Sequence, residues 1–273
     1  VFTRLSMDIL YRQDRTYLNE VIVIPDRPSR EFRDIFNALR RKEIGNIRLI
    51  EMDTLSKWVG KIAKSGNTYH FLQLITGIEN SRSTHVLFHD ADLFLRPGNF
   101  LRKRYEFCTD KNLSVLGVNP RKARFTEDCQ HLVATWEMIA TNQWLHKFKP
   151  YQLRAQHVRI NGKLLGFDTL HLAQYLSRPE EIQLKSSNSF NFVHLGYIIT
   201  TFRRYKKSRK PFKDFYFKLL FTRLLIDSIE YLDWHYELPM YEDFLEGLTG
   251  KNENVDYTSL LNNEEYPIFR KKI

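Results

Sequence analysis

Thr84-His85-Val86-Leu87-Phe88-His89 is an apolar, strand-like run that leads directly into two carboxylates, Asp90 and Asp92, and then through Leu93-Phe94-Leu95 to a Pro97-Gly98 turn. In extended chain, side chains two residues apart point the same way, so Asp90 and Asp92 are expected to address one site. Mg²⁺ and Mn²⁺ take hard oxygen ligands, typically one or two carboxylates, and complete their shell with phosphate oxygens and water. The pair therefore suits a metal–diphosphate clamp at the mouth of a strand. The plainer alternative is a solvated acidic turn, because Asp-x-Asp alone is a common pattern.

A strand end is useful only if other elements hold it. Val21-Ile22-Val23-Ile24 is a short β-branched run stopped by Pro25, and reads as a strand buried on both faces. Residues 29–41 place Phe32, Ile35, Phe36 and Leu39 at helical spacing, with Ser29 as an N-cap. Residues 46–52 read as a second strand, 69–78 as a helix, 84–89 as the third strand and 113–118 as a fourth. This alternation predicts an α/β fold, a mostly parallel sheet with helices on both faces. In such sheets ligands bind beyond the carboxyl ends of the strands, which is where Asp90 and Asp92 stand.

Composition narrows the class further. The chain has 273 residues, of which 42% are hydrophobic and 14% aromatic, enough to bury a large core. With 11 Gly and 9 Pro it is no low-complexity chain, and two cysteines, Cys108 and Cys129, exclude a disulfide scaffold and a four-cysteine zinc site. The most apolar stretch, residues 190–202, contains Asn191 and His194 and is too short and polar to span a bilayer. Residues 1–11 show no secretory h-region, and the chain begins at Val1, as expected where a leader or upstream domain has been trimmed. Together these features predict a soluble, cytoplasmic protein with reduced thiols.

An apolar strand ending in Asp-x-Asp, about 60 residues after Val21-Ile22-Val23-Ile24-Pro25-Asp26, resembles the nucleotide-sugar-dependent glycosyltransferases of the GT-A fold. It is most similar to glycosyltransferase family 2 and its relatives. The resemblance covers about residues 20–196 and implies a Rossmann-like GT-A catalytic domain over 1–200, followed by a helical appendage over 201–273. It implies Mn²⁺ or Mg²⁺ on Asp90 and Asp92, a nucleotide-diphosphate sugar as donor, and a glycan or lipid-linked acceptor. Asp26 and Asp53 stand where the family's acids hold the nucleoside; each can equally cap the helix that comes after it.

Three later segments continue the resemblance. Gly166-Phe167-Asp168-Thr169-Leu170-His171-Leu172 is similar to the family's glycine-then-acid segment at a helix start, which implies Asp168 as the base of an inverting transfer. A carboxylate in that role takes the proton of the acceptor hydroxyl as it attacks the anomeric carbon; the ordinary alternative for Asp168 is an N-cap. Phe192-Val193-His194-Leu195-Gly196 resembles the family's late His-x-Gly strand, implying His194 as a further metal ligand, against the alternative of a core histidine. Residues 135–145 resemble the acceptor-side helix, in which Trp136 and Glu137 contact the acceptor and Glu137 is a second candidate base. Their alternative is a helix that buries Trp136, Ile139 and Trp144.

Two rival functions share the fold. A sugar nucleotidyltransferase normally carries a Gly-rich loop after the first strand, and Asp26-Arg27-Pro28-Ser29-Arg30-Glu31 has no glycine. A non-catalytic nucleotide-sugar or glycan-binding protein has no need of both Asp92 and Asp168.

The formal charge of +10 is concentrated late in the chain. Residues 201–223 hold nine Lys/Arg and one Asp, a local charge of +8, next to Phe212, Phe215, Tyr216, Phe217 and Phe221. A basic, aromatic element over 203–223 suits peripheral contact with an anionic membrane. Contact with a leaving diphosphate and a solvated basic face are the alternatives, and no nucleic-acid motif accompanies the patch. Neutralising Arg203 to Lys210 is expected to remove binding to anionic liposomes in a co-sedimentation assay; unchanged binding assigns the segment to a solvated face.

Overall fold

The computed structural model describes residues 2–26, 28–42, 46–63, 66–95, 98–118, 132–177, 184–186 and 192–194. The elements in chain order are α1 (Phe2–Tyr11), β1 (Val21–Val23), α2 (Arg30–Lys42), β2 (Ile47–Leu49), α3 (Thr54–Ala63), α4 (Gly66–Asn80), β3 (His85–His89) and β4 (Leu93–Leu95). They continue with α5 (Phe100–Asp110), β5 (Val115–Gly117), β6 (Glu137–Thr141), α6 (Asn142–Lys147), α7 (Pro150–Leu153), β7 (Gln156–Ile160), β8 (Lys163–Phe167), α8 (His171–Leu176), β9 (Leu184–Ser186) and β10 (Phe192–His194). Two compact units divide them: one contains α1, β4 and β10, the other residues 15–89 and 101–188. Residues 201–273, including the basic segment, lie outside the described residues.

The larger unit is built on a four-stranded sheet in the order β3-β6-β5-β9. β6 runs antiparallel to both β3 and β5, and β9 runs parallel to β5. The sheet is therefore mixed where a mostly parallel one is expected. The reason lies in residues 135–145, expected as a helix. Residues 137–141 alternate instead with period two, Met138 and Ala140 facing one core and Ile139 the other, and this pattern inserts them as a central strand. Only then does a helix begin, with the Thr141 hydroxyl accepting from Trp144 N at 3.2 Å to cap α6.

Helices cover both faces of this sheet, as expected of an α/β fold. On one, Phe88, Val115, Met138 and Ala140 pack with Ile78 of α4, Trp144 of α6, Leu153 of α7 and Ala173 of α8. On the other, Leu116 and Ile139 pack with Cys108 of α5. At Gly117 on β5 a Cβ would lie 2.9 Å from Glu137 O and 3.1 Å from Val133 Cβ, so the strands approach as closely as they do because no side chain is there.

β1 and β2 form a separate parallel pair, Val21 opposite Ile47 and Val23 opposite Leu49. β1 has one neighbour among the described residues and is half-buried, where burial on both faces is expected. Ser29 caps α2 as expected, its hydroxyl accepting from Phe32 N at 3.1 Å. β7 and β8 form a hairpin whose turn residues, Asn161 and Gly162, have φ of 48° and 80°, as a two-residue type I′ turn requires. Its apolar face, Leu165 and Phe167, packs on Leu172 of α8.

The α5 face of the sheet encloses one charge pair. Glu137 has no exposed surface, and Arg104 Nε and Nη2 donate to its two carboxylate oxygens at 3.1 and 2.8 Å. Burial pushes the Glu137 carboxyl up from its ordinary value, and the Arg104 guanidinium opposes that shift. Removing one partner strands a charge in the core, so Arg104→Ala is expected to cost about 3–5 kcal/mol. Replacing both, as in Arg104→Met with Glu137→Leu, should recover most of that loss; urea denaturation midpoints of the two variants check it.

Candidate functional site

The acidic pair sits in the turn that joins β3 to β4. Leu93 N donates to Asp90 O at 3.0 Å, closing the four residues Asp90 to Leu93 into a β-turn. The two carboxylates are therefore not on extended chain, as the spacing predicts, but at the first and third positions of a turn. Asp92 is buried, with 8% of its surface exposed, and Asp90 is half-buried. The next strand, β4, holds the turn down. Its Leu93 and Leu95 are buried at 0% and 1% exposure, and it pairs antiparallel with β10.

In that ladder His194 is the register partner of Leu93, next in sequence to Asp92. A third side of the same unit is fixed by Gln13, beyond α1. Its side-chain oxygen accepts from Phe100 N at 3.2 Å, and Asp14 N donates to Gly98 O at 2.8 Å. Gly98 has φ of 140°, open to glycine and strained for other residues, so the backbone can turn there out of β4. Leu195 and Gly196 lie outside the described residues.

The donor set has the chemistry of a hard-cation site. Two carboxylates in one turn supply the one or two protein oxygens that Mg²⁺ or Mn²⁺ usually takes when phosphate and water fill the remaining positions. Among the described residues no group of three or more His, Cys, Asp or Glu gathers as a complete protein cage.

The remaining expected site residues belong to the larger unit. Asp26 lies half-buried in the bend after β1. Asp53 takes the capping alternative: its carboxylate accepts from Ser56 N at 2.7 Å and from the Ser56 hydroxyl at 3.0 Å, at the first turn of α3. Asp168 is exposed and stands directly after β8. Its Oδ1 accepts from Thr169 N at 2.8 Å and its backbone oxygen from His171 N at 3.0 Å. It is not the N-cap expected from its position, because Leu170, with φ of 65°, takes that place and the helix begins only at His171.

Trp136 is half-buried in the turn before β6. Glu137 faces α5, whereas α8, the helix after Asp168, packs on the opposite face of the sheet. The two candidate bases are thus separated by the sheet.

Behind Asp168, α8 is locked to the chain before β6. Gln174 accepts from Val133 N at 2.8 Å and donates to Val133 O at 3.1 Å. His171 Nε2 lies 3.0 Å from the same carbonyl, which can only accept, so the proton is on Nε2. Burial lowers the His171 pKa, with Asp168 and the Val133 bond opposing, and keeps the ring neutral. Burial also pushes the Cys108 thiol up to about 11, which leaves it a packing residue and no nucleophile.

The Arg104 partner of Glu137 and the Gln174 clamp carry no motif. The one hint is spacing, since Leu101, Arg104 and Cys108 share a helix face at i, i+3 and i+7.

The chain matches no protein-family model and no curated protein sequence. Among solved structures it is similar to the crystal structure of S. aureus TarS, with a TM-score of 0.45 and 16% sequence identity. That likeness covers 100% of this chain and 47% of that chain, so the chain spans about half the length of the structure it matches.

The α3 entry also sets an acid dependence. Glu51 accepts from Arg33 Nε at 2.7 Å and from Lys57 Nζ at 3.0 Å, and the Arg33 bond, then the Lys57 bond, lower its pKa from 4.5 to about 2. The Ser56 backbone bond lowers Asp53 likewise. Depressed carboxylates stabilise above their ordinary range and lose that stabilisation as pH falls through the folded value. Thermal midpoints measured from pH 5 to pH 2 should therefore fall less steeply in Glu51→Gln than in the wild-type chain.

Proposed function

We propose that the chain is a metal-dependent, nucleotide-sugar-using glycosyltransferase that acts with inversion. The observation that carries this reading is the Asp90–Leu93 turn, which caps β3 with two carboxylates and continues into a strand paired with that of His194. Support also comes from the order of the sequence segments around Asp26, Asp90, Asp92, Asp168 and His194, an order that a solvated acidic turn does not require.

Asp92 and Asp90 would hold the divalent cation, Mn²⁺ or Mg²⁺, with His194 as a further ligand. Such a cation, when bound, neutralises charge on the departing nucleotide diphosphate. Asp90 and Asp26 orient the donor on the phosphate and nucleoside sides. Asp53 already caps α3, so its part in nucleoside binding is limited to lone pairs left beyond the Ser56 contacts.

Asp168 is the base. Its carboxylate is exposed, while Thr169 N fixes one oxygen. The acceptor hydroxyl oxygen attacks the anomeric carbon, its proton passes to Asp168, and the bond to the nucleotide diphosphate breaks with its electron pair. Glu137, buried on Arg104, is unsuited to that proton transfer, and its role is structural. Trp136 offers an apolar ring to a glycan or lipid-linked acceptor.

A panel of nucleotide-sugars with and without Mn²⁺, scored for nucleotide release, tests the reading. Asp92→Asn is expected to lose metal-stimulated turnover while it keeps its fold by circular dichroism. Asp168→Asn should retain donor binding and lose transfer by about 10²–10⁴-fold. Full activity in Asp92→Asn overturns the metal assignment, and donor trapping without turnover for any acceptor makes the chain a binding protein.

A further inference from the structure

α3 is turned inside out. A surface helix ordinarily buries its apolar stripe and shows its polar face to water. Here Leu55, Trp58, Val59 and Ile62, at i, i+3, i+4 and i+7, form one stripe and are 68%, 59%, 38% and 58% exposed. The face that packs inward is small and polar. Gly60 is buried against the Tyr69 ring of α4, where a Cβ would lie 2.6 Å from a ring carbon. Ser56 binds Asp53, and Lys57 binds Glu51. Four neighbouring large apolar side chains in water are the kind of exposed patch that marks an interaction surface.

The charges around the stripe identify the partner. α3 carries Lys57 and Lys61 and no acid, and Lys64 comes directly after it. From Thr54 to Ile78 the sequence contains no Asp or Glu. Lys61, exposed, lies beside Trp58 on the wheel of the helix. An apolar stripe with a tryptophan, flanked by lysines and free of acids, is suited to the boundary between headgroups and acyl chains of an anionic bilayer. There the stripe sits among the acyl chains and the lysines reach anionic headgroups. The helix has 10 residues and lies on such a surface; no described helix is long and apolar enough to cross it.

We propose that α3 docks the protein on an anionic membrane surface through Leu55, Trp58, Val59 and Ile62. This docking is independent of the transferase reading and of the basic segment at 203–223, and an exposed stripe can be altered without touching the core or any charge. The test uses the full chain and vesicles of phosphatidylglycerol and phosphatidylcholine, or of phosphatidylcholine alone. The wild-type chain should bind the anionic vesicles, and brominated acyl chains should quench part of its tryptophan fluorescence. Trp58→Ser with Ile62→Ser should weaken vesicle binding at least tenfold at unchanged net charge and unchanged thermal midpoint, and Trp58→Phe alone should retain binding but lose most of the quenching. Equal vesicle binding by the double variant and the wild-type chain overturns the proposal. So does a wild-type chain that ignores vesicles and self-associates in sedimentation through the same stripe, which would make the face an interface between copies.

Discussion

Glu137 is a carboxylate without solvent in the middle strand of the main sheet, and Arg104 is what makes that position tolerable. Desolvating either charge alone is costly, by several kcal/mol, and two short charge-assisted bonds offset the cost only when both partners are aligned. The alignment ties α5 to β6 at one point. Once it is fixed, the period-two alternation of β6 turns Met138 and Ala140 toward α4, α6, α7 and α8 and Ile139 toward α5. Both neighbours of β6 are antiparallel to it, so the registers of β3 and β5 are set by the same strand.

That register places the end of β3 at His89, opposite Glu137. The chain must leave the sheet there, and it does so through the hydrogen-bonded turn from Asp90 to Leu93. The turn explains how two acids stand so near an apolar run without disrupting it: the backbone closes on itself, and the buried leucines of β4 anchor its far side. Asp168 obeys a comparable logic. It lies where a hairpin made by Asn161-Gly162 passes into α8, and Gln174 and His171 hold that helix on Val133. In both places a functional carboxylate is carried on a short connection between rigidly packed elements.

Much of the scaffold is legible in the sequence because it rests on local signals. The β-branched run at 21–24, the serine before α2 and the apolar run before Asp90 each specify their element within a few residues, and each forms. The parts that depart from expectation depend on contacts remote in sequence. Residues 135–145 carry apolar positions that fit a helix, and only the Arg104 partner and the two flanking strands make 137–141 a strand. Leu170 displaces Asp168 from the cap because it adopts positive φ, which an ordinary leucine gives no reason to expect. Asp53 shows the reverse case: its cap is local, and the capping alternative is the one the backbone adopts. The hairpin at 156–167 is also local, since Asn161-Gly162 between alternating apolar residues is a strong turn signal.

For α3 the limit is of another kind. Periodicity reveals that Leu55, Trp58, Val59 and Ile62 share one side, but it is silent on whether that side turns toward the core or toward water. The decision is made across the helix, at Gly60. A glycine there lets the Tyr69 ring come within a distance no Cβ would permit, so the closest packing to α4 is available only through the small, polar face. Lys57 strengthens the choice by reaching Glu51 from the same helix. With both contacts made, the apolar stripe has no route back to the core, and its outward orientation is a consequence of packing that the stripe itself does not encode.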